Sequence, residues 1–484
     1  MITNTEAENN LNDSAVNSVD RQQYATVSCD AVPKDNVDGM KLATEDNDDD
    51  IDYDVSIVEK MLQACESNDM NVIQLIIQTH GTMYGCYALP STGMTPLMVA
   101  SSVGNMALVE YLLNDCGAPW NAIDRAYHYC AGDYATQSEH WEIVNLLVDW
   151  ATRAELILGA IERQQRNDHY KVDGTNNESS TKPDYLRQRL QYTEDGNALI
   201  DADNDAVMME WERPIMRAHA QMLMESRSKR VMNVGFGMGI IDTILQEEYA
   251  PALHIIIEAH ADVYQHMIQK GWDQKPNVRI CYGTWQTVLP RLIAEGCVLD
   301  AIFFDTYGEH YMDMADFHEQ MVHLLAKPHG IYSFFNGLAP DNLFFHGVAC
   351  QCVKIQLSAL GMDSEFVPCE IQIPNETVWK DIRRKYWYGR DTYYLPICTW
   401  NQDYITTNIN PNADIIAKLT TNQKRKYDTI TETTTALINH HYDSTNAESG
   451  LDMVDTIKTP ILNDHHNDTD DVGGASKRLQ SFFG

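Results

Sequence analysis

Positive charge is what this chain lacks most. Its 484 residues carry 35 Lys and Arg against 70 Asp and Glu, a formal net charge of −35. A general nucleic-acid binder neutralises phosphates with a basic surface, so direct nucleic-acid binding is not expected. An acidic surface suits a basic partner instead. No apolar run is long enough to span a bilayer, and the opening M-I-T-N-T-E-A-E-N-N has neither the basic nor the apolar region of a signal peptide. The 11 cysteines never fall in C-x-x-C spacing; the closest two are Cys350 and Cys352. That argues against a zinc or redox pair and for reduced thiols in an intracellular protein. No metal is expected. The paired histidines His440-His441 and His465-His466 fall in a polar tail and read as solvated.

Both ends of the chain are poor in apolar periodicity. Residues 1–55, ending in Glu45-Asp46-Asn47-Asp48-Asp49-Asp50, are polar and acidic. Residues 406–484 are rich in Asn, Thr and Asp. Neither can bury enough apolar surface to offset its ordering entropy, so both are predicted to be disordered. The polar cluster Gly174 to Lys182 predicts a linker over 156–182, after a helical start at Leu156 to Arg163.

Between the acidic start and that linker, residues 56–155 repeat. Ala64, Ala100 and Ala135 each open a small-polar stretch leading into an apolar helix, at spacings of 36 and 35 residues. The middle copy reads Thr95-Pro96-Leu97 with Ala100, which resembles the ankyrin signature, and its flanking copies are degenerate. An all-α ankyrin-like module of this kind stacks helix pairs and offers a protein-binding surface, or it only braces the neighbouring domain.

Residues 183–405 alternate strand and helix. Val231–Val234 is a short apolar strand running into Gly235-Phe236-Gly237-Met238-Gly239-Ile240 and then a helix. Such a turn brings bare backbone and unpaired helix N–H groups to a ligand. Further strands are predicted at Leu253–Ile257, Val278–Tyr282, Ala301–Phe304, Ile331–Phe335 and Glu370–Ile373, with helices at Ala261–Gln269, Val288–Ala294, Phe317–Leu325 and Val348–Leu360. The pattern is a doubly wound α/β sheet. Glu258 closes the second strand about 20 residues beyond the glycines, where an acceptor-only carboxylate holds ribose hydroxyls of NAD or S-adenosylmethionine alike. The G-x-G-x-G turn lacks the later glycine of a pyrophosphate site, and Asp305-Thr306-Tyr307 ends the fourth strand with an acid beside an aromatic. Both favour S-adenosylmethionine.

Five blocks in order carry a family resemblance: V-M-M-E-W-E-R-P-I-M (Val207–Met216), V-G-F-G-M, I-I-I-E, G-T-W and F-F-D-T-Y. This order is similar to the guanidinoacetate methyltransferase family. Joined to ankyrin-like repeats, it resembles the fungal protein arginine methyltransferases that modify the δ-nitrogen of arginine. The resemblance implies a Rossmann-like class I (seven-strand) methyltransferase sheet. It implies that Gly235, Phe236, Gly237, Met238, Gly239 and Ile240 hold the methionine part of S-adenosylmethionine, and Glu258, Ala259 and His260 the ribose. Thr284 and Trp285 would flank the adenine, while Tyr192 and Met216 would line the cleft; Trp285, Tyr192 and Met216 read equally as core residues. Asp305, which would also border the cofactor, and Glu212 would grip the guanidinium and take the released proton. Asn233 stands where the guanidinoacetate enzymes carry an acid, which puts a small guanidino substrate in doubt. The expected substrate is an arginine in a basic protein such as a ribosomal protein, in the cytoplasm and nucleus. The alternatives are a small-guanidine methyltransferase, an inactive ankyrin-bearing scaffold and, most distantly, a nicotinamide-dependent dehydrogenase.

Overall fold

A computed structural model describes residues 53–173, 185–224, 230–307, 311–372, 374–383, 385–387 and 391–408. The acidic stretch 1–52, the polar cluster 174–182 and nearly all of the 406–484 tail lie outside the described residues. Among the described residues no helix is long and apolar enough to cross a membrane, and the cysteines are free thiols, most of them buried.

The repeats form three helix pairs: α1 (Val55–Glu66) with α2 (Met70–His80), α3 (Pro96–Val103) with α4 (Met106–Asn114), and α5 (Ala131–Gln137) with α6 (Trp141–Asp173). Thr95 shows why the middle signature starts a helix. Its hydroxyl accepts from Met98 N–H at 3.3 Å, and Pro96 supplies a first-turn residue that needs no partner for an N–H. Met61, Leu97, Leu108, Leu112, Ile143 and Leu147 fill one continuous core between the pairs. α6 runs on to Asp173, so backbone predicted as linker continues the helix well beyond Arg163.

The second domain opens with a small antiparallel sheet, β1 (Gln191–Tyr192), β2 (Ala198–Ile200) and β3 (Ala206–Met209). A single turn, Glu210–Glu212, leads into α7 (Arg213–Met224). The large sheet then alternates with helices: β4 (Arg230–Val234), α8 (Ile240–Ile244), β5 (Leu253–Glu258), α9 (Ala261–Gln269), β6 (Val278–Tyr282), α10 (Trp285–Ala294), β7 (Ala301–Phe304), α11 (Tyr311–Met321), β8 (Ile331–Phe334), α12 (Leu343–Ala359), β9 (Met362–Glu370), β10 (Thr392–Trp400) and α13 (Gln402–Asn408). Strand order is β6-β5-β4-β7-β8-β10-β9. The strands from β6 to β8 are parallel, whereas β10 inserts antiparallel between β8 and β9.

Two expectations are corrected here. Of the last predicted strand, Glu370–Ile373, only Glu370 lies in a strand, as the last residue of β9, and β10 was not predicted at all. Long antiparallel pairing fixes both: nine residue pairs run from Thr392↔Glu370 to Trp400↔Met362. Helix α8 passes directly into a π-helical turn at Leu245–Tyr249. The reversal of strand order at β4 and β7 leaves a crevice beyond their carboxyl ends, where open α/β sheets place their ligands.

The two domains share one helix. Phe344, Val348 and Cys352 of α12 belong to the repeat core, while Cys350, Val353 and Leu357 belong to the core of the large sheet. Phe344 lies so close to Gly132 that a Cβ there would be 2.1 Å from its ring. Asn342 caps α12 by accepting from Phe345 N–H at 2.9 Å, and donates to Asp133 Oδ2 at 2.7 Å. Phe344→Ala should therefore destabilise the protein by about 3–5 kcal/mol, the cost of a large-to-small change in a packed core. Denaturant unfolding of the purified variant measures it; a loss under about 1 kcal/mol would mean the helix does not join the domains.

Candidate active site

The glycine turn stands at the end of β4. Gly235, Gly237 and Gly239 have φ of +94°, +54° and +69°. At Gly235 an added Cβ would lie 1.9 Å from the carbonyl oxygen of Asp305, so no side chain fits. Asp305 N–H donates to Val234 O at 2.8 Å, and Gly235 N–H to Ile257 O at 2.9 Å. These bonds tie the turn to the ends of β5 and β7. Phe236 N–H donates to Glu258 Oε2 at 2.9 Å and His260 N–H to Glu258 Oε1 at 2.7 Å. Burial raises Glu258, and these backbone donors, with those of Ala259 and Gly237, pull it back down.

The small sheet covers the turn from the other side. Tyr192 O–H donates to Gly237 O at 2.8 Å, while its ring stacks on His266 at 3.8 Å. Met238 N–H points at Met208 Sδ, 3.2 Å away. His260 caps α9 by accepting from Asp262 N–H, and its Nε2 lies 3.0 Å from Gln188 O. Below the turn, Asn233 donates through Nδ2 to Gly235 O and to Asp242 Oδ2, each at 2.8 Å. Asp242 and His254 are both fully buried, 3.0 Å apart. The carboxylate that Asn233 meets is that of Asp242, in α8.

Two predicted residues sit in the core. Trp285 is 3% exposed and packs edge-on against Phe317 at 5.4 Å; Met216 is 0% exposed within α7. Of the predicted adenine pair only Thr284, at the start of α10, stays half-buried. Ile240 and Phe236 are buried as well.

The two predicted catalytic acids do come together. Glu212 is 4% exposed; its Oε1 accepts from Met209 N–H at 2.9 Å and from the hydroxyl of Tyr386. Burial pushes its carboxyl up to about 7, against the opposing effect of those two donors. Asp305 Oδ2 is buried without a hydrogen-bond partner. Burial, then the charges of Glu212 and Asp242, hold Asp305 well above the usual carboxylate range. No Lys, Arg or His among the described residues pairs with Glu212 or Asp305. Two buried acids without a cation cost several kcal/mol unless a ligand supplies the charge.

Around Glu212 the structure adds residues that were not singled out from the sequence. Trp211 lies 6.0 Å from Trp379, 5.9 Å from Tyr386 and 6.0 Å from Trp387. Trp379, Tyr386 and Trp387 all come from the connection between β9 and β10. The available signal was composition: two of the chain's nine Trp fall within nine residues of one connection.

Comparisons with known proteins agree with this architecture. Residues 177–345 match the family described as guanidinoacetate N-methyltransferase, and residues 61–156 match ankyrin repeats in three copies. A protein arginine N-methyltransferase 2 from Aspergillus oryzae is 31% identical over 414 residues, covering 72% of this chain and 98% of that protein. Its namesake from Saccharomyces cerevisiae is 35% identical over 324 residues, covering 60% and 76%. One from Yarrowia lipolytica is 40% identical over 248 residues, 48% of this chain, so the match spans about half (52%) of that relative. With nearly the whole length of the A. oryzae protein matched at this identity, the chain belongs to the protein arginine N-methyltransferase 2 family of enzymes.

Proposed function

We propose that the chain methylates the δ-nitrogen of arginine in protein substrates, using S-adenosylmethionine as methyl donor. The observation that carries the reading is the pair of buried, cation-free carboxyls, Glu212 and Asp305. The turn fits the cofactor: a bare backbone at Gly235, which a Cβ would fill, lies next to an acceptor-only carboxylate at Glu258. Gly235 to Ile240 would hold the methionine part, and Glu258, Ala259 and His260 the ribose. Thr284 and Tyr192 would border the same crevice. When bound, S-adenosylmethionine supplies an electrophilic methyl group on a sulfonium.

The protein's own residues do the rest. An arginine guanidinium is cationic in water and a poor nucleophile. Glu212 and Asp305 would accept charge-assisted hydrogen bonds from its terminal nitrogens and draw positive charge onto them, leaving the internal nitrogen more nucleophilic. They also fix its orientation, which supplies several kcal/mol of a transfer barrier. The displacement releases one proton, which the buried Asp305 Oδ2 would receive. The acidic surface and the ankyrin-like module suit recruitment of a basic protein, such as a ribosomal protein, in the cytoplasm and nucleus. Methylation of a small guanidino compound is the second reading, favoured by the family match over 177–345.

Incubation with labelled S-adenosylmethionine and ribosomal proteins, followed by acid hydrolysis, separates the two. Label should appear in δ-methylarginine and fall at least about a hundredfold in Asp305→Asn, the scale of a lost transition-state contact. Label only in an added guanidino acid would favour the second reading, and no transfer at all would reject both.

The pH dependence follows from Glu212. Its carboxyl titrates near 7 in the folded protein, and only the ionised form holds a guanidinium. In free enzyme kcat/KM should therefore rise with pH through about 7 and, because Asp305 is also held well above the usual carboxylate range, go on rising beyond it; Glu212→Gln should lose activity. Stability runs the other way. The folded value lies above the unfolded one, so this contribution is complete below about 4.5 and is lost as pH rises through about 7. Thermal unfolding across pH 4–8 reads that slope, which Glu212→Gln should remove.

A further inference from the structure

We propose that residues 374–383 and 385–387, between β9 and β10, form the substrate-side wall of the catalytic site, with Tyr386 as the residue that positions Glu212. The proposal rests on the reading of Glu212 as a guanidinium ligand and adds to it the part that orients the acid and selects a flat cation.

The geometry begins at one oxygen. Glu212 Oε1 receives both donors, Met209 N–H from the end of β3 and the Tyr386 hydroxyl from the wall. Its Oε2 receives none from any described residue. Two donors on the same oxygen fix the plane of the carboxylate and leave the other oxygen for a ligand. The tyrosine lies 174 residues along the chain from the acid it holds. Behind this bond are rings: Tyr386 meets Trp379 edge-on at 5.0 Å, and Trp211, next to Glu212, lies about 6 Å from three aromatic rings of the wall. Aromatic faces attract cations, and a planar guanidinium stacks on them where a compact, strongly hydrated ammonium does not.

The wall is itself pinned to the same strand that carries Met209. Arg383 donates from Nε to Asp205 Oδ1 at 2.9 Å and from Nη2 to Asp205 Oδ2, while its backbone N–H donates to Asn204 O at 2.9 Å. Asp205 is 7% exposed, immediately before β3. At the root of the connection, Ile371 N–H donates to Asp391 O at 2.7 Å. From Asp205 through Met209 to Glu212 is a single short run, so wall and acid share one support. A bidentate arginine bond of this kind gives geometric specificity as well as energy.

The test uses the full-length protein and the protein substrate that takes up label, with pH profiles for wild type, Tyr386→Phe, Arg383→Ala and Glu212→Gln. S-adenosylmethionine affinity is measured by calorimetry in parallel. Tyr386→Phe should lower kcat/KM about ten- to a hundredfold, the range for a lost hydrogen bond to a charged group. It should also move the acid limb to higher pH, because a donor favouring the carboxylate form is gone, while cofactor affinity stays within about twofold. Arg383→Ala, outside the pocket, should raise KM more than it lowers kcat. A lysine-bearing version of the substrate should take no label. If Tyr386→Phe keeps the wild-type rate and limb while Glu212→Gln is inactive, the wall is wrong and the reading of the site stands. Loss of cofactor affinity together with transfer in Tyr386→Phe would also overturn it, showing a general structural role. Wild-type activity in Glu212→Gln would remove the reading of the site and the wall with it.

Discussion

Everything at the catalytic end of the large sheet depends on how closely the backbones of Gly235 and Asp305 approach. The carbonyl of Asp305 fills the volume that a side chain on Gly235 would need. The contact forces a glycine with positive φ at the first position of the turn. It also carries the Asp305 carboxyl to the lip of that same turn. Cofactor loop and substrate acid are therefore not two features set side by side. They are two faces of one contact, made where strand order reverses between β4 and β7.

The electrostatics follow from that crowding. Burial raises the proton affinity of Asp305 and Glu212, and the charges of Glu212 and Asp242 raise Asp305 further. A structure that gathers acids without cations gains nothing for its own stability. Such a gathering makes sense as a receptor for charge that arrives with a ligand. The polar chain beneath the turn is of a different kind, because its acid faces a histidine. Asn233 links Gly235 to Asp242, Asp242 faces His254, and Gln246 Nε2 lies 3.0 Å from His254 Nδ1. It stiffens the floor, whereas the open acids above it remain available.

The sequence was most informative where a local rule decides the outcome. Apolar runs punctuated by Gly, Pro and acids located β4 to β8, and a period of about 35 residues located the repeats. Glu258, Glu212 and Asp305 were singled out because their neighbours formed ordered blocks. Most of the failures share a cause: they depended on partners distant in the chain. β10 inserts between β8 and β9 out of sequence order, so its pairing cannot be read locally. Trp285 and Met216 could face either ligand or core, and only the packing of Phe317 and α7 decided for the core. The end of α6 was misplaced because helical backbone outlasts its apolar periodicity. Tyr386 had no local signature beyond an unusually aromatic connection.

The shared helix α12 has a consequence for how the protein is made. Repeat arrays need a cap on the outer face of the last unit. Here the third helix pair is covered by Phe344, Val348 and Cys352, and Asn342 reaches Asp133 across 209 residues of chain. A ribosome delivers all three pairs long before it delivers their cap. The array must wait, with its final apolar face bare, until most of the large sheet has been synthesised. Domains usually fold in the order they emerge; in this chain the first domain to emerge is completed by the second.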